Sequence, residues 1–271
     1  MGNFFKNNEF KTDYKKRPHD EYKAAINKLD EETRRKFDRR RALILVIVVA
    51  AVFVMIMVLA ITGIGTNQAK SAGAVLDGAE KARIACLGDS VTKGLMLGAS
   101  GEENCSVTYP DALKAELDSR LNIQAEVYNF GEAEGIAENT SYKKMQKEAD
   151  LVILQYLLEN CKTGNDPEGI LEANIDGLSK QGCRVYLLNY PLASFAADSN
   201  AVNQANQYIA KAAKEKNILL LDAAAHFKGL LDQGHTEEEL FGTDGIHLTE
   251  KGYELLGRFV AGGLISDAGL E

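Results

Sequence analysis

From residue 82 onward, short apolar runs of β character alternate with stretches whose apolar positions recur at helical spacing. Arg83–Leu87, Ile123–Tyr128, Leu151–Tyr156, Arg184–Asn189 and Ile218–Leu221 predict strands, being short, bounded by polar residues and rich in Ile, Val, Leu and Tyr. Asp111–Leu121 follows Pro110 and keeps Ala112, Leu113, Ala115 and Leu117 in helical register. Glu168–Leu178 follows an Asp166-Pro167 start, and Thr249–Leu264 predicts a closing helix with Thr249 as N-cap. Five strands separated by crossovers predict an α/β fold, a doubly wound and mainly parallel five-stranded sheet with helices on both faces. In such sheets ligands sit at the carboxyl ends of the strands.

The N-terminal third reads differently. Ala42–Ile64 is a 23-residue run without a charge; as a helix it is about 34 Å long, enough to span a hydrocarbon core of roughly 30 Å. A cleavable signal would have a shorter apolar core close to the N-terminus, whereas 41 residues precede this run. The expectation is an uncleaved single transmembrane helix. Arg39-Arg40-Arg41 abuts its start and the first charge after it is Lys70, so the positive-inside rule places the N-terminus in the cytoplasm and the C-terminal domain outside the cell. The predicted division is a basic cytoplasmic tail (1–41), the span (42–64), a linker of small and polar residues (65–81) and a folded extracytoplasmic domain (82–271). In the tail, an amphipathic helix over Tyr22–Phe37, with Ala25, Ile26, Leu29 and Phe37 as apolar points, competes with a solvated segment touching anionic lipid.

Charge sharpens this division. Residues 1–41 carry 13 Lys/Arg and 8 Asp/Glu, a net of +5, which leaves 18 basic and 31 acidic residues, a net of −13, for the rest. An acidic domain of this kind excludes nucleic acid as a partner.

Two segments carry chemistry. Ile84-Ala85-Cys86-Leu87-Gly88-Asp89-Ser90 is a strand ending in Gly-Asp-Ser at the first crossover, where a serine projects from a tight turn at the ligand-binding edge and a backbone amide can face a developing oxyanion. The same tripeptide is also ordinary turn chemistry. Thr243-Asp244-Gly245-Ile246-His247-Leu248 precedes the last helix. A serine hydroxyl needs a base, and an imidazole serves when a carboxylate fixes its tautomer; Asp-x-x-His supplies both. Of the other histidines, His19 falls in the tail, His226 follows an apolar run and reads as structural, and His235 reads as an exposed loop residue. His247 is the candidate base.

With these residues in view, the chain resembles the SGNH/GDSL hydrolases, whose first and last signature blocks look like Gly88-Asp89-Ser90 and Asp244-Gly245-Ile246-His247-Leu248. The likeness extends over residues 82 to 264 and includes Thr108-Tyr109-Pro110, Val127-Tyr128-Asn129-Phe130-Gly131 and Leu219-Leu220-Leu221-Asp222. It implies a flavodoxin-like sheet, Ser90 as nucleophile, His247 as base, Asp244 as the group orienting the imidazole, and an oxyanion hole formed by the Ser90 and Gly131 amides with an asparagine side chain. It implies no cofactor and no metal. The sequence departs from the family at the third block, where a glycine and an asparagine are usual and this chain reads Gln155-Tyr156-Leu157-Leu158-Glu159-Asn160-Cys161. An ungapped alignment puts Glu159 at the asparagine position, and a shift of one residue restores Asn160, the preferred candidate; Asn165 is a more distant one. In the second block Gly135 competes with Gly131, and either also fits a turn needing positive φ.

Four cysteines follow the apolar run. Cys86 and Cys183 fall in predicted strands and read as buried, while Cys105 and Cys161 fall in loops, where an oxidising exterior permits a disulfide whose connectivity the sequence does not reveal. No pairing has zinc-site spacing. The expected function is an extracytoplasmic serine esterase or deacylase acting on a small-molecule or glycan acyl ester, O-acetyl groups included. Its alternatives are an O-acyltransferase using the same three residues and a catalytically degenerate domain that binds glycan or protein.

Overall fold

Strands buried on both faces of a parallel sheet have to be apolar along their whole length, and the runs from residue 82 onward supply them. The computed structural model describes residues 17–62, 69–77, 81–98, 101–132, 149–155 and 158–270, with the side chains of 17–20, 25, 37, 40–42 and 53–62 outside that description. The chain divides into two units, Met1–Gly65 and Thr66–Glu271.

The first unit holds one helix, α1 (Arg17–Thr62), of 46 residues. It is unbroken where the polar tail meets the apolar run, and Tyr22, Ile26, Leu29 and Leu43–Val49 are exposed along it. Among the described residues no helix is long and apolar enough to cross a membrane. The expected span Ala42–Ile64 lies partly outside those residues.

The second unit runs α2 (Ala72–Leu76), β1 (Ala82–Gly88), α3 (Ser90–Lys93), β2 (Leu95–Gly98), β3 (Gly101–Asn104), α4 (Tyr109–Leu121), β4 (Ala125–Gly131), β5 (Leu151–Gln155), α5 (Leu158–Thr163), α6 (Pro167–Lys180), β6 (Arg184–Leu188), α7 (Ser199–Glu215), β7 (Leu220–Leu221), α8 (Ala223–Asp232), α9 (Glu237–Leu240) and α10 (Glu250–Ala268). The sheet order is β4-β1-β5-β6-β7, and every neighbouring pair is parallel. This is the flavodoxin-like order. The chain leaves β1 first toward β4 and later toward β5, so the direction of winding reverses beside β1, where ligands bind in such folds. The register aligns Gly131, Gly88 and Gln155 at the carboxyl ends of β4, β1 and β5.

Helices α2, α4 and α10 pack together on one side, while α6 and α7 pack on each other and on β6. Gly257 sets the approach of α10 to α4, since a Cβ there would stand 2.5 Å from the Ala112 Cβ and 2.6 Å from the Tyr109 carbonyl oxygen. Helix starts follow the side chains expected of them. Thr108 and Asp111 form a reciprocal capping box at α4, Asp166 caps α6 ahead of Pro167, and Thr249 caps α10, each satisfying an N–H with no intrahelical acceptor.

Three local features differ from the sequence expectation. The stretch read as a linker, 65–81, contains α2, whose Ala72, Val75 and Leu76 are buried in the core; its small residues let the backbone come close, with Gly73 against the Ala268 carbonyl. The antiparallel hairpin β2–β3 interrupts the first crossover. Finally, β7 shrinks to two residues at the sheet edge, with Leu219 exposed beside it.

Candidate active site

β1 ends at Gly88 because nothing larger fits: a Cβ there would lie 1.9 Å from the Thr92 Oγ1 and 2.2 Å from the Gln155 carbonyl oxygen. The chain then turns directly into α3, with Asp89 as N-cap accepting from the Val91 N–H at 3.2 Å. Ser90 is the first residue of that helix, so its N–H has no intrahelical acceptor. The short helix closes at Gly94, which takes the left-handed conformation with φ 88°.

The second segment is a loop held from three sides. Gly245 has φ +72° and lies against Ala196, and its carbonyl accepts from the Ala193 N–H at 2.9 Å. The Gly242 N–H donates to the His247 carbonyl at 2.7 Å. The Leu97 carbonyl of β2 accepts from both the Thr243 N–H, at 2.9 Å, and the Thr243 hydroxyl, at 3.0 Å. The hairpin that the sequence did not foretell thus buttresses the loop carrying Asp244 and His247.

Those supports bring the three expected residues into one line. His247 Nε2 lies 2.8 Å from Ser90 Oγ, and His247 Nδ1 lies 2.6 Å from Asp244 Oδ2. Asp244 Oδ1 accepts from the N–H groups of Ile246 and His247, each at 3.1 Å. Burial alone would raise the Asp244 carboxyl, but the His247 hydrogen bond and charge and those two amides outweigh it and hold it below its ordinary value. The line joins a hydroxyl to an imidazole and the imidazole to an ionised carboxylate. It allows the Oγ proton to pass to Nε2 while Nδ1 keeps its own, the tautomer being set by Asp244.

Asn160 is buried on α5, immediately after β5, whereas Glu159 is partly exposed with its carboxylate 3.8 Å from Lys162 Nζ. Asn165 is exposed in the turn beyond. Gly131 closes β4 without a left-handed φ, contrary to the turn reading. Its lack of a side chain serves close approach instead, since a Cβ would stand 2.1 Å from the Lys93 backbone nitrogen. The Gly131 N–H donates to the Asn129 Oδ1 at 2.9 Å. Gly135 lies outside the described residues.

Behind Ser90 runs a polar layer that the sequence reading missed. Asp89 is buried and accepts from the Tyr190 hydroxyl. Burial pushes its carboxyl up to about 6, against the pull of Tyr190, the Val91 amide, His247 and the Leu158 amide. The Thr92 hydroxyl donates to Gln155 Oε1 at 3.3 Å, and Gln155 Nε2 donates to the Asn189 carbonyl at 3.2 Å. Asn189 Nδ2 donates in turn to Asp222 Oδ1 at 2.8 Å. One signal was present: Gln155 ends β5 and Asn189 directly follows β6, amides next to buried apolar runs where a polar side chain has no packing reason to be.

The remaining candidates fall elsewhere. His226 stacks on Phe259 at 4.4 Å, and His235 pairs with Glu239 at 3.0 Å. All four cysteines are free thiols, and burial raises Cys105 and Cys161 to about 11. Among the described residues no cluster of His, Cys, Asp or Glu is placed to hold a metal ion.

The chain belongs to the GDSL-like lipase/acylhydrolase family, whose sequence profile matches residues 86–255. It is an ester-hydrolysing serine hydrolase. No curated protein matches it. Among solved structures it is similar to a carbohydrate acetylesterase family member from Sinorhizobium meliloti, with 15% identity, TM-score 0.53, and 70% of this chain and 100% of that one covered. It is also similar to a catalytic mutant of an acetylxylan esterase from Geobacillus stearothermophilus, with 16% identity, TM-score 0.54, and 70% and 95% covered. At these identities the likeness establishes a shared fold.

Proposed function

We propose that this chain is a membrane-anchored, extracytoplasmic serine esterase that removes acyl groups, O-acetyl among them, through an acyl-enzyme on Ser90. The observation that carries the reading is the unbroken line Ser90 Oγ, His247 Nε2, His247 Nδ1, Asp244 Oδ2, with contacts of 2.8 and 2.6 Å. Ser90 Oγ attacks the ester carbonyl as its proton moves to His247 Nε2. The tetrahedral oxyanion collapses, the C–O bond to the alcohol breaks, and His247 returns the proton to the leaving oxygen. Water then attacks the acyl-enzyme as His247 takes its proton; the acyl C–Oγ bond breaks and His247 Nε2 returns the proton to Ser90 Oγ, releasing the acid and free Ser90.

The oxyanion is received by the Ser90 N–H at the start of α3 and by the side chain of Asn160. Glu159 is an unsuitable partner, because its charge would repel the oxyanion and its side chain is oriented toward Lys162. The Gly131 N–H joins them when it exchanges its Asn129 acceptor for the oxyanion. The location rests on the sequence: an uncharged run over 42–64 with Arg39-Arg40-Arg41 on one flank puts the hydrolase domain outside the cell.

The test uses the full chain in detergent, following p-nitrophenyl acetate hydrolysis and fluorophosphonate labelling in wild type, Ser90→Ala and His247→Ala. Labelling and turnover that vanish with Ser90→Ala support the acyl-enzyme. A folded wild type that neither labels nor turns over refutes it.

A further inference from the structure

Helix α7 carries a feature that the chemistry at Ser90 does not use. Its buried side is apolar, with Val202, Ala205, Ile209, Ala212 and Ala213. Its first exposed turns present Asn200, Asn203, Gln204 and Gln207, spaced three and four residues apart and so on one face. Together they make one outward-facing, uncharged strip of amides along the helix. Asn206 contributes little to its surface chemistry, because both ends of its amide are spent on the Tyr190 backbone at 2.8 Å.

The stripe is unusual for this chain. A quarter of all residues are charged, yet none is between Ser199 and Ala210, and charge resumes only at Lys211. Asparagine is a poorer helix former than the lysine or glutamate that normally covers an exposed helix face. A solvated face needs neither the amides nor the neutrality. Each amide offers two donors and one acceptor oxygen, the complement of paired hydroxyls, which themselves donate and accept. A row of them without charge fits an uncharged polyhydroxylated chain and gives no purchase to an anionic one.

The stripe also starts at the rim of the site. The loop leading into α7 packs Ala193 and Ala196 against Gly245, beside Asp244 and His247. Asp198, just ahead of the helix, lies 3.3 Å from Lys162 on α5, the helix that bears Asn160. Phe195, in the same loop, is 46% exposed and offers an aromatic face to the apolar side of a sugar ring. From Asn200 to Gln207 the helix advances about 10 Å.

We infer that Phe195 and the amide stripe of α7 form a glycan subsite, which holds an uncharged polysaccharide so that an acyl ester on one of its units reaches Ser90. The inference rests on the esterase reading and supplies its substrate class. The probe is acetylated xylan, compared with p-nitrophenyl acetate, on the full chain in detergent. The variants are Asn203→Ala with Gln207→Ala, and Asn203→Glu with Gln207→Glu, the second pair keeping strong helix formers on the surface. Both pairs are expected to lower kcat/KM on acetylated xylan by roughly five- to tenfold or more while leaving p-nitrophenyl acetate turnover at the wild-type level. They are also expected to release the chain from insoluble xylan in a pull-down, which requires no turnover. Xylan activity and retention equal to wild type in both pairs, or a wild type that hydrolyses the small ester but ignores xylan, would overturn the subsite. Failure of the esterase reading is read separately, as absence of p-nitrophenyl acetate hydrolysis by the wild type.

Discussion

The Tyr190 hydroxyl donates to the carboxylate of Asp89, joining the loop after β6 to the turn that presents Ser90. Both residues are buried, and Asp89 also receives the Val91 N–H, so the position of Ser90 depends on a bond made from 101 residues away. Tyr190→Phe leaves a buried carboxyl short of one donor, and a loss of about 1–3 kcal/mol is expected in urea denaturation. A variant as stable as wild type would mean that Tyr190 is only packing.

Asp89 also gives stability an unusual pH dependence. Its folded pKa is raised to about 6, above the ordinary value of 3.8, chiefly by burial. The folded state therefore holds that proton more tightly than the unfolded one. This contribution favours folding below the unfolded pKa and is lost as pH rises through about 6. Asp89→Asn cannot titrate, so its stability relative to wild type should grow by about 2 kcal/mol between roughly pH 4.5 and 7. Parallel denaturation midpoints at the two pH values would refute the shift.

Asp244→Asn keeps an oxygen for the Ile246 and His247 amides but offers Nδ1 no anionic partner. The expected outcome is an unchanged melting temperature with kcat on p-nitrophenyl acetate reduced by roughly three to four orders of magnitude. A drop of tenfold or less would show that the imidazole is oriented by other means.

Asn160 and Glu159 are adjacent and should behave oppositely. Removing an oxyanion donor costs about 10²- to 10³-fold in kcat, which is the expectation for Asn160→Ala, whereas Glu159→Gln should leave kcat unchanged. The reverse pattern, read from steady-state kinetics, would put the third-block role one residue earlier.

Gly131 is fixed by backbone proximity, with Lys93 N and Thr92 C at 2.1 and 2.6 Å from any added Cβ. Neither neighbour is a side-chain end that can swing away. Gly131→Ala is expected to lose about 3 kcal/mol of stability together with activity, measured by thermal unfolding; a fully stable variant would show that β4 and α3 can part at no cost.

What could be read from the sequence divides along physical lines. Residues whose neighbours are close in the chain announced themselves: β1 and β5 as continuous apolar runs, Thr108 and Thr249 as caps, and the Asp244/His247 pair through its three-residue spacing. Ser90 came through two separated motifs in the right order. Residues defined by long-range packing did not. The β2–β3 hairpin carries an exposed Gly-Glu-Glu-Asn strand without apolar alternation, so no periodicity marks it. Tyr190 looks like any aromatic after a strand until its partner 101 residues earlier is known. α2 was lost among small residues, because Ala and Gly signal flexibility in a sequence and close packing in a core.

The separation of Ser90 from His247 by 157 residues bears on how the chain comes to life during synthesis. Ser90 leaves the ribosome long before His247, which emerges just ahead of α10, the helix that closes against α2 and α4. On the proposed mechanism, a chain that stops short of residue 247 lacks the base for Ser90 and is expected to leave esters intact, however well its first strands have formed. The pairing of Ser90 with His247 and the packing of α10 on α2 are therefore completed together, when the last helix of the domain docks against its first.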